Sequence, residues 1–317
     1  MPFTLSHPAA VLPLLRAAGA RGPLVASALV AGSMAPDVPF FAESLLPGVY
    51  GHGGLTHRWW AVPTLDVAVA GALVAGWHGL LRGPAVALLP ERWAGGAEAL
   101  TARRAGGVRG LGDAGTAGAT VRGAAWFAAS AAIGAATHVG WDAFTHGDRL
   151  GTRLLPVLDR PVAGVPLYEA LQYGSSALAL VALGGWAARA VRVVEPVRPA
   201  VRLAPRARRA AVALLGAATA AGVLHRLSPL RRNLVPEVCF GAGAGLAVGA
   251  VGYAAVLAAA RRLRGGRPDD PGEAPRGAAA KARQAGRLGQ AVHADHADHA
   301  DQAGQARRVR QTERSSA

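Results

Sequence analysis

One short string of the sequence combines residue types that can bind metals or carry protons. His138, Asp142 and His146 follow one another at intervals of four residues. On a helix this spacing puts the three side chains along one face. Imidazole nitrogens and a carboxylate oxygen on one face suit a divalent metal ion, but a polar helix end wetted by solvent explains the pattern too. The same string contains residues that we expect to surround such a site, Trp141, Thr145 and Asp148.

Four further ionisable residues could join this string. Asp37 follows Pro36 in a turn, His57 directly precedes an apolar segment, and His7 lies near the start of the chain. Taken singly, these are ordinary turn or loop residues. Asp66 lies two turns inside the apolar segment, where a carboxylate needs a partner, so it could be an outer ligand or could orient a histidine. A hydrogen bond to a neighbouring helix is the alternative for Asp66.

Two polar residues at the start of a later apolar segment, Gln172 and Tyr173, could line the same cavity. They follow the loop that begins after His146. Whether all these residues meet depends on the elements that carry them.

The composition predicts an integral membrane protein. Of the 317 residues, 51% are hydrophobic and only 17% are charged, and the mean hydropathy is +0.25. A soluble chain of this length needs more surface charge. The abundant Ala and Gly would allow helices to approach closely within a bilayer.

Apolar segments of spanning length predict an all-α fold, a polytopic transmembrane helical bundle with about five spans. The predicted spans are Trp59–Leu81, Gly123–Phe144, Leu167–Ala190, Ala210–Leu227 and Val238–Ala260. Pro8–Ala35 holds two shorter apolar stretches separated by Gly22 and Pro23, which predicts an N-terminal helical hairpin or a broken helix. The transmembrane domain would cover residues 1–264, with its motifs in 1–192, and residues 265–317 would form a disordered polar tail.

Arginine-rich segments predict the orientation of these spans. By the positive-inside rule, the predicted loops 82–122 and 191–209 and the C-terminal tail are cytoplasmic, in a multi-pass protein of the bacterial cell membrane. The opposing arginines are Arg226, Arg231 and Arg232. This topology places Asp37, His57 and the string 138–146 at the extracytoplasmic face. His7 joins them only if Pro8–Ala35 is a hairpin.

Several other functions are not favoured by the sequence. Cys239 is the only cysteine, which excludes an intramolecular disulfide and a cysteine-based zinc cluster. There is no nucleophile elbow, phosphate-binding loop or dinucleotide fingerprint. The basic segments lack interleaved aromatic residues, so no nucleic-acid partner is expected. A repeat in the tail, with His293, His296 and His299, could bind metal weakly or be a low-complexity tract.

The motifs, in their order, resemble a family of bacterial membrane proteins, the domain of unknown function 4184. The likeness rests on the opening segment 2–10, the turn 32–37, the pair Thr56-His57 with Asp66, the string 138–146 and the segment 172–176. It covers residues 1 to about 192. Arg58 departs from the family, in which a small residue often follows the Thr-His pair.

The motif layout of that family is similar to that of membrane-bound metal-dependent hydrolases. The resemblance implies a metal held by residues that match those motifs, His7, Asp37, His57, His138 and Asp142. We expect a divalent metal, zinc, and hydrolysis of a phosphoester or lipid-like substrate beside the lipid bilayer. The alternative is a non-catalytic, transporter-like or scaffolding protein whose cluster binds a structural metal or a proton.

Overall fold

A computed structural model describes residues 3–17, 19–102, 117–227 and 234–265 of the chain. Almost all regular structure in these residues is helical, and their few strands are two residues long. The predicted all-α helical membrane bundle is confirmed. The predicted polar tail lies outside the described residues, apart from Gly265 at the end of the last helix.

The N-terminal segment doubles back on itself, which is the hairpin of the two predicted alternatives. A 3-10 helix, Thr4–Leu14, leads into the antiparallel strands β1 (Leu15–Arg16) and β2 (Gly19–Ala20), and helix α1 (Ala26–Gly32) returns. Prolines at positions 8 and 13 lack the amide hydrogens that an α-helix uses, which is consistent with the 3-10 form of the first arm. The hairpin is therefore built from unlike arms.

Short helices connect this hairpin to the first long apolar segment. They are a 3-10 turn (Ala35–Asp37), α2 (Val38–Ala42), a second 3-10 turn (Val49–His52) and α3 (Gly53–Thr56). The next elements are α4 (Leu65–Gly76), a π-helical segment (Trp77–Leu81), α5 (Arg82–Leu88) and α6 (Glu91–Thr101). The expectation of a loop from Arg82 was wrong over residues 82–101. Helix-forming residues continue there, and Arg82 Nη1 pairs with Glu98 Oε1 at 2.8 Å.

The second half of the chain contains four long helices and a compact connection. Helix α7 (Ala117–Thr145) is followed by α8 (Leu150–Leu154), a 3-10 turn (Pro156–Asp159) and the two-residue strands β3 (Pro161–Val162) and β4 (Val165–Pro166). The remaining helices are α9 (Leu167–Val193), α10 (Pro205–Leu227) and α11 (Leu234–Gly265).

Four helical segments in the described part of the chain are long and apolar enough to cross a membrane. They are Leu65–Leu88, Leu167–Val193, Pro205–Leu227 and Leu234–Leu263. The first begins six residues later than the predicted span Trp59–Leu81, because turns occupy residues 57–64. The predicted span Gly123–Phe144 lies within α7, which is helical but is not among the four.

The spans expose apolar side chains, as helices in contact with lipid do. Large hydrophobic residues on α9, α10 and α11 are more than two-thirds exposed, among them Leu178, Val181, Leu224 and Val256. A soluble monomer rarely exposes so much contiguous apolar surface. The bilayer therefore supplies the environment that these side chains need.

Helix α1 packs against α7 through backbone-to-backbone contact. A Cβ atom at Gly32 would lie 2.1 Å from the Ala131 carbonyl oxygen, and one at Gly134 would lie 2.2 Å from the Leu29 carbonyl oxygen. Only glycine permits this approach. Ser130 Oγ also accepts a hydrogen bond of 2.9 Å from the Val25 amide just before α1. The contact fixes α1, and the turn that follows it, against the polar end of α7.

This contact predicts opposite effects for two glycine substitutions on α7. Gly134→Ala should lower the thermal midpoint in detergent micelles, because overpacking costs about 1–3 kcal/mol. Gly140→Ala is the matched control, since nothing lies within 4 Å of its added Cβ. It should leave the midpoint unchanged or raise it slightly, since alanine favours a helix interior by about 1 kcal/mol over glycine. Equal midpoints for the two variants would contradict the packing described here.

Candidate metal centre

Four separate elements bring ionisable side chains to one buried point. Asp37 ends the 3-10 turn after α1, and His57 directly follows α3. His138 and Asp142 lie one turn apart near the end of α7. His7, in the first arm of the hairpin, lies next to Asp142 and His138. The polar end of α7 is therefore the centre around which the N-terminal segments are wrapped.

Asp37, His57, His138 and Asp142 form a group that could hold a metal ion. Each offers one ligand atom, and these four atoms all lie within 4.8 Å of one another. His57 Nε2 is 3.3 Å from Asp142 Oδ2 and 3.7 Å from Asp37 Oδ1. His138 Nε2 is 3.3 Å from Asp37 Oδ1 and 3.6 Å from Asp142 Oδ2.

These separations match the edges of a metal coordination shell better than hydrogen bonds. Hydrogen bonds from nitrogen to oxygen are about 2.7–3.2 Å long. Four ligands placed tetrahedrally at about 2.0–2.1 Å from a zinc ion lie about 3.3–3.4 Å apart. All four atoms are buried, and none has a hydrogen-bond partner in the described part of the chain. The residues therefore fit a divalent cation, whose two charges offset those of two carboxylates.

Backbone carbonyl groups orient both imidazole rings. His138 Nδ1 lies 2.8 Å from the Ser33 carbonyl oxygen, and His57 Nδ1 lies 2.8 Å from the Gly53 carbonyl oxygen. A carbonyl oxygen can only accept, so each Nδ1 carries the hydrogen. In the neutral ring, Nε2 then carries the lone pair that a metal requires. The backbone therefore holds both rings in the tautomer that binds metals.

The hydroxyl of Thr4 holds the second oxygen of Asp37. Thr4 Oγ1 donates a short hydrogen bond to Asp37 Oδ2, while Asp37 Oδ1 belongs to the four-atom group. Burial opposes ionisation of Asp37, but neighbouring His138 and the Thr4 hydroxyl outweigh it and hold its pKa below the usual range. The carboxylate is therefore ionised at neutral pH, as a metal ligand must be.

His7 lies beside the group, on the other oxygen of Asp142. Its Nε2 is 3.6 Å from Asp142 Oδ1, and its ring stacks on His138 with centroids 3.7 Å apart. The hairpin thus brings His7 to the same side as the other residues. Burial, and then the neighbouring His138, lowers the pKa of His7 to about 3, so its ring is neutral at pH 7.

His146 also lies on Asp142, outside the four-atom group. Its Nδ1 is 3.5 Å from Asp142 Oδ1, and its Nε2 is 2.7 Å from the Gln172 side-chain nitrogen. Burial lowers the pKa of His146 to about 4. The hydroxyl of Thr145 lies 3.3 Å from His146 Nδ1. Gln172 and Thr145 thus position His146, as their neighbourhood in the sequence suggested.

The remaining predicted residues differ in their positions. Trp141 packs its ring edge against His7, with centroids 5.5 Å apart, and donates to Ser175 Oγ. Asp66 is fully buried near the histidines, but neither of its oxygens has a hydrogen-bond partner among the described residues. It does not orient His57 or His138, because backbone carbonyls occupy their Nδ1 atoms. Tyr173 faces Glu169 and Cys239 instead of the group.

Asp148 is also outside the group. It lies exposed in the turn after α7, with a φ of 58°. Aspartate tolerates this left-handed conformation better than most residues. The turn, and not a cavity, therefore accounts for its place in the string.

The sequence offered little signal for the partners that orient the ligands. The two carbonyl groups belong to Ser33 and Gly53, and any residue would supply the same atom. Thr56 Oγ1 lies 2.7 Å from the Pro36 carbonyl oxygen and 2.9 Å from the Gly53 carbonyl oxygen. It joins the turn that carries Asp37 to the helix before His57. Thr4 lies within the quoted opening motif, but only the fold reveals its contact with Asp37.

The neutral buried histidines predict how the stability of the metal-free protein depends on pH. In the unfolded chain a histidine gains its proton near pH 6.5, whereas folded His146 and His7 do so only near 4 and 3. Their stabilising contribution is therefore complete above pH 6.5 and is lost as the pH falls towards 4. The thermal midpoint in micelles should fall over this range. The midpoint of His146→Gln should fall less steeply than that of wild type, whereas the midpoint of His52→Gln, which changes an exposed histidine, should fall as steeply. Identical slopes for all three proteins would contradict the assignment of His146 as a buried, neutral histidine.

The chain matches one family over most of its length. The family model for the domain of unknown function 4184 covers residues 1–255. The match extends beyond the predicted limit near residue 192 and includes α10 and most of α11. Neither curated proteins nor solved structures gave a significant match. The likeness to membrane metal-dependent hydrolases remains a prediction from motif layout, whereas the family is shown: the chain belongs to the family of the domain of unknown function 4184.

Proposed function

We propose that the protein is a membrane-embedded, metal-dependent hydrolase that acts at the extracytoplasmic face of the bacterial cell membrane. The observation that carries the proposal is the convergence of four buried ligand atoms, from Asp37, His57, His138 and Asp142, without hydrogen-bond partners among the described residues. A protein does not bury two carboxylates in this way without a compensating charge, since each costs several kcal/mol.

The donor set favours zinc as the resident cation. Two imidazole nitrogens and two carboxylate oxygens, with nitrogen–oxygen separations of 3.3–3.7 Å, are ligands that zinc accepts. Magnesium and calcium prefer six or more oxygen ligands, and magnesium usually retains several waters. A protonated imidazole in place of a cation is less favourable, because the nitrogen–oxygen separations of 3.3–3.7 Å exceed hydrogen-bond length.

The residues around the site would have different roles in such a reaction. When bound, a divalent cation supplies Lewis-acid activation of water and of a phosphoryl oxygen. His57 and His138 hold their lone pairs towards it, because the Gly53 and Ser33 carbonyls fix their rings. His7 and His146 lie against the other oxygen of Asp142 and complete the polar lining of the site.

The surroundings of the site support a lipid-like or phosphoester substrate. His57 lies just before the candidate span that starts at Leu65, and Gln172 lies in the first turns of the span that starts at Leu167. The site is thus near one end of two spans. Large exposed hydrophobic side chains lie in the neighbouring segments of the chain: Leu45, Leu46, Trp59, Trp60, Leu150 and Leu154. Exposed apolar and aromatic side chains of this kind suit the boundary between lipid headgroups and acyl chains.

The orientation in the membrane follows from the arginine distribution and is part of the proposal. One arginine that opposed this topology, Arg226, is 3% exposed, and its Nε lies 2.7 Å from Glu237 Oε2. A buried, paired arginine contributes little to the positive-inside rule, which concerns charges in loops. Arg231 and Arg232 lie outside the described residues. The proposal keeps the C-terminal tail on the cytoplasmic side.

A second candidate function is a non-catalytic membrane protein with a structural metal. One observation favours it: the group supplies four protein ligand atoms, whereas a catalytic zinc site has three protein ligands and keeps one position open for water. Such a cation would serve only to join the hairpin, the turn at Asp37 and α7. Both candidates predict metal, and only the first predicts turnover.

Metal content and hydrolysis measured on the same samples distinguish these candidates. Wild-type protein purified in detergent should carry stoichiometric zinc by elemental analysis. Reconstituted into vesicles of phosphatidylethanolamine and phosphatidylglycerol, it should release water-soluble phosphate products. His57→Gln should lose the cation of the four-residue group and at least about 100-fold in rate, because a ligand is removed. His52→Gln is the control, as that histidine is exposed and outside the group.

Each outcome has a defined meaning. Wild-type protein without bound metal would overturn both candidates. Bound metal that depends on His57, with no release from these vesicles or from a soluble phosphodiester such as bis-(p-nitrophenyl) phosphate, would favour the structural metal. Equal loss of activity in His57→Gln and His52→Gln would contradict the assignment of the site.

A further inference from the structure

The two oxygens of Asp142 face different pairs of histidines. Oδ2 belongs to the four-atom group with His57 and His138. Oδ1 instead lies 3.6 Å from His7 Nε2 and 3.5 Å from His146 Nδ1. The four-atom group accounts for Oδ2 alone, so the arrangement around Oδ1 needs its own explanation.

We propose that Asp142 bridges two divalent cations, and that the second cation is bound by Asp142 Oδ1, His7 Nε2 and His146 Nδ1. The inference rests on the proposed function only in taking the four-residue group as the first cation site. It adds a second metal site and identifies the position at which a phosphate group of the substrate would bind.

The distances from Oδ1 to the two histidines match the nitrogen–oxygen distances within the first group. Both imidazole nitrogens lie 3.5–3.6 Å from the carboxylate oxygen, beyond hydrogen-bond length and within the 3.3–3.7 Å range of the first group. The carboxylate of Asp142 can serve two cations, because each of its oxygens has a lone pair available.

Gln172 can set the tautomer that His146 needs. The nitrogen and oxygen of a glutamine side chain are assigned from their surroundings, and the two orientations occupy the same volume. With the Gln172 carbonyl oxygen turned towards His146 Nε2, that nitrogen carries the hydrogen and Nδ1 carries the lone pair. In that orientation Gln172 would do for His146 what the Ser33 carbonyl does for His138. The Asp142 carbonyl oxygen, 3.3 Å from His146 Nδ1, would then accept no hydrogen bond from that nitrogen.

The second site is more open than the first. The side chains of His7 and His146 are 9% and 18% exposed, against 1% and 0% for those of His57 and His138. Three protein ligands leave at least one coordination position free, whereas the first group supplies four. The substrate phosphate would therefore bind at the second cation, with the first cation about 3.5–4 Å away across the carboxylate. The second cation would thus provide the open coordination position that the four-residue group lacks.

The charges around the site also favour a second cation. Asp37, Asp142 and Asp66 are all buried, and both oxygens of Asp66 lack a hydrogen-bond partner within the described ranges. One divalent cation offsets only two of these three carboxylates. Two such cations exceed them by a single positive charge, which an anionic phosphate group would neutralise. The three carboxylates thus suit a pair of cations with an anionic substrate.

The test is a titration of the full-length, metal-stripped protein with Mn²⁺, followed by elemental analysis and electron paramagnetic resonance. Wild-type protein should bind two tight equivalents and show an exchange-coupled signal, since a carboxylate bridges the two ions. His146→Ala should retain one tight equivalent and lose the coupling. His52→Ala, the control, should behave as wild type. Tail histidines His293, His296 and His299 could add weak binding, but it would be uncoupled and unaffected by His146→Ala.

One tight equivalent in wild-type protein, or coupling that survives in His146→Ala, would overturn the second site. His7→Ala provides an independent variant if His146→Ala does not fold, and the wild-type stoichiometry needs no variant. The result separates from that of the proposed function. Two coupled ions without hydrolysis would support the second metal site and contradict the hydrolase. Hydrolysis by protein that holds a single ion would support the hydrolase and contradict the second metal site.

Discussion

The structure depends on the burial of two carboxylates against two imidazoles with no hydrogen bonds between them. Asp37 and Asp142 meet His57 and His138 at 3.3–3.7 Å, in a region that excludes water. The ligand oxygens of the two carboxylates lie within 4.8 Å of each other, and buried ionised carboxylates this close repel unless a positive charge lies between them. A cation among the four atoms turns that repulsion into attraction. The remaining elements act to keep these four atoms together.

Each neighbouring element contributes one constraint to this arrangement. The close approach of Gly32 and Gly134 brings the Ser33 carbonyl to His138, and α3 brings the Gly53 carbonyl to His57. The N-terminal hairpin returns Thr4 to Asp37 and His7 to Asp142. Because these contacts join residues up to 135 positions apart in the chain, as for His7 and Asp142, the site forms only when the whole N-terminal half is folded. The exposed apolar helices provide its anchorage in the bilayer.

The sequence indicated the four residues of the group better than it indicated the residues that hold them in place. The i, i+4 spacing of His138 and Asp142 fixes them on one helical face, and apolar composition alone predicted the helical bundle. The contribution of His7 depended on whether residues 8–35 reverse direction, which the broken pattern left open. The carbonyls that orient the rings carry no side-chain signal. Helices α5 and α6 were missed because arginine and glycine in that segment resemble a loop, although its alanine, leucine and glutamate residues favour helix.

The measurement that tests the central claim most directly is X-ray absorption at the zinc edge on the purified, full-length protein. A cation held by Asp37, His57, His138 and Asp142 predicts nitrogen and oxygen scatterers at about 2.0–2.1 Å, no sulfur, and the outer-shell pattern of imidazole rings. The imidazole pattern should weaken in His138→Gln and persist in His52→Gln. A shell of water oxygens alone, or a spectrum unchanged by His138→Gln, would contradict the account.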